Sequence, residues 1–223
     1  MIDLCCNRGV PDPENSAETP ADTPAVPTAA IPATPRQRTR DRLLTVAERL
    51  LLTEDYDDVS VRSICAAAQV NPAAVHYHFG SKDDLAIALL QERLGPLWAD
   101  DLDAVESGGA TVAQIVDIVV APFLAVQDDP VGRLHLRLLS RFVLNHPDAP
   151  WTGTWYRLDR WTPLLTAVVD GLDADTARRR WALAFTLVLT RFGAGHPLSE
   201  RAVAALRDFV VAGLSAPAGS GAP

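Results

Sequence analysis

Lysine is almost missing from this chain: of its 20 basic residues, all but Lys82 are arginine. Cysteine is nearly as scarce, present only as Cys5, Cys6 and Cys65, a set that builds no disulfide framework and matches no zinc-ligand spacing. Long apolar runs are absent too, since none approaches the roughly 18 uninterrupted residues of a membrane helix. The first residues lack the basic start and apolar block of an export signal. These absences predict a cytoplasmic chain with no membrane partner and no metal site. Net positive charge is also lacking, with 28 acidic residues against 20 basic, or −8 overall. That balance excludes an indiscriminate polyanion binder but leaves room for a small local basic surface. Paired carboxylates, a nucleophile beside a base and a glycine-rich phosphate loop are all missing, which argues against an enzyme and implies no cofactor.

What is present suits a soluble globular protein: 223 residues, 48% hydrophobic and 22% charged, enough for one large domain or two smaller ones. Residues 1–35 hold seven of the 17 prolines together with five acids and one arginine. Burial cannot offset the ordering entropy of such a segment, and a mobile tail is expected there. Residues 36–95 carry eight basic and nine acidic residues, so half of the excess negative charge belongs to the tail. The rest of the chain is close to neutral.

Beyond the tail the periodicity is helical, with no convincing alternation of period two, and the expected fold class is all-α. Leu43, Ala47, Leu50 and Leu51 recur at helical spacing over 38–53. Ser60 caps a short helix over 61–68. Asn71 and Pro72 start a second over 72–78, with asparagine as cap and proline in the first turn, where its missing N–H costs nothing. Gly80-Ser81 stops that helix and caps the next, over 81–94, with Asp83 and Asp84 near its positive end. Gly95-Pro96 should break or kink it. Further helices are expected over 112–126, over 131–144, over 151–172 with an interruption at Pro163, from Asp173 or Asp175 to 192, and over 199–214. The stretch 181–190 is apolar on nearly every side, which requires burial all round, in its own core or against a second chain.

Two short helices joined by a tight turn, after a longer supporting helix, make a helix-turn-helix. The major groove admits one helix whose first residues reach base edges. Periodicity alone leaves plain helical packing as the stronger reading. The string from Val61 through Tyr77-His78-Phe79-Gly80-Ser81-Lys82 to Leu85 closely resembles the DNA-binding signature of the TetR family of bacterial transcriptional repressors, over about residues 38–93. The resemblance implies a helix-turn-helix domain over 36–80, a connecting helix over 81–95, a helical ligand-binding and dimerisation domain over 96–216, and a flexible end over 217–223. It places DNA contacts at Arg40, Ser60, Arg62, Asn71, Ala73, Ala74, His76, Tyr77, His78 and Lys82. Arg62 would meet a base edge or phosphate, Ala73 and Ala74 bases or thymine methyls, and Lys82 would clamp a phosphate at a helix start. His76 stands where the family most often has a phosphate-contacting tyrosine.

Two departures concern the backbone. Asp55 and Gln69 occupy positions where the family usually has glycine, and both are expected to be left-handed, at about 1 kcal/mol for glutamine. Duller readings stand beside the functional ones. Arg36, Arg38, Arg40 and Arg42 form either an arm along phosphates or a solvated run, and Cys65 reads as core filler. His76 and His78, two apart on a helix, point away from each other and do not make a metal pair. A ligand pocket is expected from Trp98, Phe123, His135, Phe142, Trp155, Trp161 and Trp181, against the alternative that these are plain core and His135 a satisfied core histidine. Arg133, Arg137 and Arg141 recur every four residues as a solvated or salt-bridged stripe. The resulting expectation is a homodimer, paired through about 175–192 and 199–214, that binds a near-palindromic double-stranded operator as a repressor. A small molecule would release it through the 81–94 helix. The alternative is an activator or a ligand-independent regulator.

Overall fold

The computed structural model describes residues 34–97, 109–146, 151–152 and 158–217. The expected tail over 1–35 therefore lies almost wholly outside the described residues, as do Cys5, Cys6, Trp98, Trp155 and most of 217–223. Among the described residues the regular elements are all helices. The chain begins with α1 (Pro35–Leu51), α2 (Val61–Ala67), α3 (Ala74–His78) and α4 (Lys82–Leu94). It continues with α5 (Val112–Val126), α6 (Pro130–Asn145), α7 (Leu158–Val168), α8 (Ala174–Phe192) and α9 (Glu200–Ser215).

Side-chain caps fix most of the starts. Thr34, Ser60, Ser81, Thr111, Asp129, Asp173 and Ser199 each accept a hydrogen bond from a backbone N–H in the first turn of the helix that follows, satisfying donors that a helix start leaves unpaired. The expected boundaries hold to within a few residues, with one exception. Pro163 lies inside α7 and does not interrupt it, and Thr162 next to it donates its hydroxyl to the Leu158 carbonyl at 2.8 Å. Gly95 ends α4 as expected, with Pro96 and Leu97 continuing in helical conformation.

In the N-terminal unit α1 packs on α2 and α4, burying Leu43, Leu44, Ala47 and Leu51 against Ile64, Cys65, Val75 and Leu85. Cys65 is core filler, as expected. The five residues of α3 could not hold a helix alone, and its one fully buried side chain, Val75, anchors it. α4 packs on α6, α6 on α8, and α8 on both α7 and α9, while α5 closes the bundle against α6, α7 and α9. A single apolar core runs from Leu43 to Leu214. The outer face of α8 and α9 departs from it: Leu183 is 73% exposed and Phe209 70%.

Candidate nucleic-acid interface

Local chemistry builds the helix-turn-helix. The Ser60 hydroxyl accepts from the Ser63 N–H and the Ser63 hydroxyl accepts from the Ser60 N–H, each at 3.0 Å, a reciprocal cap. α2 ends in a turn in which Gln69 takes φ 51°, and the Val70 N–H bonds the Cys65 carbonyl at 3.0 Å. Gln69 is thus left-handed as expected. Asp55 is not, since Gln69 alone among the described non-glycine residues has positive φ. α1 instead unwinds through bonds from Thr53 and Glu54 to the Leu50 carbonyl, and the Asp55 carbonyl then collects the N–H groups of Asp58 and Val59. A gradual end of this kind needs no reversal of φ.

Asn71 caps the turn ahead of α3, its Oδ1 accepting from Ala73 N–H at 2.8 Å. Regular α geometry begins at Ala74, two residues later than expected. Arg62, Asn71, Ala73 and His76 are exposed, and Tyr77 is 67% exposed. The Arg36 guanidinium lies over the Tyr77 ring, 5.2 Å from its centroid, and Arg40 over the Phe79 ring at 5.4 Å. The start of α1 and the end of α3 thus share one surface. Burial first, then the charges of Arg36 and Arg40, hold the His78 imidazole below its ordinary range. His76 Nδ1 donates to the Gly80 carbonyl at 2.7 Å.

Several expected contact residues have other work in this structure. Arg40 Nη1 is 2.7 Å from Glu92 on α4. The Ser60 hydroxyl is occupied as a cap. Lys82 does not stand free as a clamp: its Nζ donates to the carbonyls of Tyr56 at 2.8 Å and Val59 at 2.9 Å, and sits 4.2 Å from the Tyr56 ring centroid. One of its three donors remains for a phosphate. Tyr56, absent from the expected site, donates its phenol to Asp83 at 2.5 Å, and burial together with that carboxylate raises the phenol far above its ordinary range.

The family profile described as "Bacterial regulatory proteins, tetR family" matches residues 43–89, which run from the core of α1 through α3 into α4. Residues 43–89 thus resemble the corresponding segment of tetR-family regulators. Among curated proteins the chain is 33% identical over 88 residues to the HTH-type transcriptional regulator BetI of Brucella suis biovar 1, covering 40% of this chain and 44% of BetI. It is 39% identical over 79 residues to the HTH-type transcriptional regulator TcmR of Streptomyces glaucescens, a span of 33% of each chain. The match thus spans less than half the length of these relatives. Solved structures extend the likeness of fold to most of the chain. A TetR-family transcriptional regulator from Streptomyces coelicolor superposes with TM-score 0.53 at 23% identity, over 79% of this chain and 97% of the other. The multidrug binding protein EbrR complexed with imidazole gives 0.53 at 20% identity, over 82% and 98%. FadR from Bacillus subtilis in complex with stearoyl-CoA gives 0.50 at 17%, over 80% and 98%.

Of the residues expected to form a ligand pocket, the described ones, Phe123, His135, Phe142, Trp161 and Trp181, are buried in the core. The rings of Trp161 and Trp181 meet at a tilt of 51° with centroids 5.6 Å apart, and the Trp181 indole N–H donates to the Trp161 carbonyl at 2.8 Å. Phe123 packs on Phe192, and Phe142 on the Tyr56 ring. His135 is a satisfied core histidine, its Nε2 2.7 Å from Glu48 Oε1 on α1. Two cavities bounded by described residues lie elsewhere, lined by residues of the 51–58 region and of α6. The arginine stripe is partly salt-bridged: Arg133 donates to the carbonyls of Gln127 and Asp128, Arg141 pairs with Asp57, and Arg137 faces both cavities.

Proposed function

We propose that this chain is a DNA-binding transcriptional regulator that acts as a homodimeric, ligand-responsive repressor on a near-palindromic operator. The observation that carries it is the exposed face of α3, where Ala73, His76 and Tyr77 stand out from a turn fixed by Gln69 and Asn71, with Arg36 stacked on Tyr77. Small residues at the helix start let the backbone approach base edges, and the flanking arginines supply phosphate contacts. The exposed Leu183 and Phe209 on α8 and α9 support pairing through those helices, since large apolar side chains left open on a folded surface mark interaction sites. That related folds hold imidazole in EbrR and stearoyl-CoA in FadR supports a small-molecule effector within the C-terminal helices.

Selection of random DNA by the purified protein tests this. The expected outcome is a two-fold symmetric site. Arg62→Ala should change base preference, and Arg36→Ala should weaken all sites alike and lower the salt slope. Recovery of no preferred sequence would overturn the proposal. A ligand-independent regulator, repressor or activator, is the second reading. The satisfied His135 favours it, and operator affinity unchanged across a panel of small molecules would select it.

A further inference from the structure

The backbone of α6 packs on α4, yet α6 also reaches past α4 to the helix-turn-helix unit through long side chains. His135, buried at 6% exposure, bonds Glu48 of α1 at 2.7 Å. The same Glu48 oxygen accepts from Arg93 Nε of α4 at 3.2 Å. Nearly two turns further on, Arg141 makes two bonds to Asp57, at 2.7 and 3.2 Å, and lies over the Tyr56 ring, 4.9 Å from its centroid. Phe142 meets that ring edge-on at 5.3 Å. Tyr56 and Asp57 belong to the loop that leads directly to Ser60, the cap of α2.

Beside the Arg141–Asp57 attachment the interface is not filled: a cavity of about 310 Å³ is lined by Leu51 of α1, by Tyr56 and Asp57 of the loop, and by Leu134, Leu138 and Arg141 of α6. Close-packed contacts resist sliding because every displaced atom loses its neighbours. Packing is incomplete at this cavity, which leaves the Arg141–Asp57 pair and the buried His135–Glu48 bond to hold α6 against the loop and α1.

We propose that His135 and Arg141 are positioning residues for operator binding: through Glu48 and Asp57 they set the angle at which the helix-turn-helix unit is carried on α6, by a route that does not pass along α4. The proposal rests on the DNA-binding reading above. The two attachments differ in character. The His135–Glu48 bond is buried, and losing one partner leaves a carboxylate short of a donor. The Arg141–Asp57 pair is exposed, contributes little to stability by itself, and acts by fixing the loop.

Four variants test this: Arg141→Ala, the charge-exchanged pair Asp57→Arg with Arg141→Asp, His135→Phe, and Glu48→Gln, which keeps an acceptor for His135. Affinity is measured for the selected operator and for versions with one base pair added or removed between half-sites, with the melting temperature read alongside. Arg141→Ala should weaken the selected operator roughly three- to thirtyfold and flatten the spacing preference while leaving the melting temperature nearly unchanged. The exchanged pair should recover both, and Glu48→Gln should fall between wild type and His135→Phe. Retention of affinity and spacing preference in Arg141→Ala and Glu48→Gln, or no recovery in the exchanged pair, overturns the proposal and leaves the DNA-binding reading intact. Should the wild type select no DNA, that reading falls, and hydrogen exchange at the Asp58 and Val59 amides decides the attachment itself. Faster exchange in Arg141→Ala supports it, and unchanged exchange removes it.

Discussion

Gln69 is held at φ 51°, where a side chain with Cβ crowds the neighbouring carbonyl. Its carboxamide returns little, accepting from Arg42 at 3.4 Å on an exposed surface. Gln69→Gly should therefore raise stability by about 1 kcal/mol, read from the urea midpoint; a lower midpoint would mean that the Arg42 contact outweighs the strain. His135 gives a second expectation. Burial, with Arg93 adding to it and Glu48 and Asp129 opposing, holds its imidazole below the ordinary 6.5. The unfolded chain then takes up this proton at higher pH than the folded one. The stability linked to His135 is complete above about pH 6.5 and declines as pH falls toward the folded value. Unfolding free energy should fall more steeply between about pH 7.5 and 5.5 in the wild type than in His135→Phe, and equal slopes would contradict this. The two residues were not equally legible. The strain at Gln69 could be read from the motif because a turn geometry is local. The partner of His135 lies 87 positions away in Glu48, and no periodicity within α6 points to it. Asp55 shows the reverse error, a local rule applied where the helix end had a cheaper exit.

At the scale of elements, caps and periodicity carried most of the information. Ser60, Ser81, Asp173 and Ser199 mark helix starts in the sequence and cap them in the structure. Proline was the poorer guide at Pro163, which was expected to interrupt a helix and sits within one. What caps cannot reveal is how closely two elements approach. α5 and α6 are joined by a tight reversal in which Asp129 accepts from the Gly132 N–H at 2.8 Å, and a Cβ built on Gly132 would overlap the Val126 carbonyl of α5. The obstacle is backbone, which cannot rotate aside as a side chain can. Gly132→Ala should destabilise by about 1–3 kcal/mol, whereas Gly213→Ala in α9, whose new Cβ meets open space, should be neutral or slightly stabilising. Equal melting temperatures for the two variants would show that the α5–α6 reversal yields. The exposed part of the interface, α3, was legible for the opposite reason: five residues with one buried anchor leave His76 and Tyr77 to solvent, so their pattern reports on contact and not on packing.

For the whole molecule, the informative feature is the mismatch between composition and exposure in α8. The sequence between 181 and 190 is apolar on nearly every side, yet the bundle buries only Trp181, Ala184, Val188 and Leu189 of it, leaving Leu183 open and Phe209 of α9 likewise. A second copy placing the same two helices against these covers both faces at once through a two-fold axis, the usual geometry of a self-complementary patch. The same axis would place two α3 helices on one side of the assembly, and each copy brings few cations: residues 36–95 hold eight basic residues against nine acidic, with Arg40 and most of Lys82 already engaged. On the proposed reading, a single unit with so little positive charge would bind DNA weakly, and useful affinity would come from two units bound together. Leu183→Glu with Phe209→Glu should thus give a monomer by sedimentation equilibrium with its helical spectrum retained, since both side chains are solvent-facing within one chain. Operator affinity should fall by on the order of a hundredfold or more as the second unit is lost, while the sequence preference of each half-site is kept. A variant that remains dimeric would place the pairing surface elsewhere, and a monomer with full affinity would mean that one helix-turn-helix suffices.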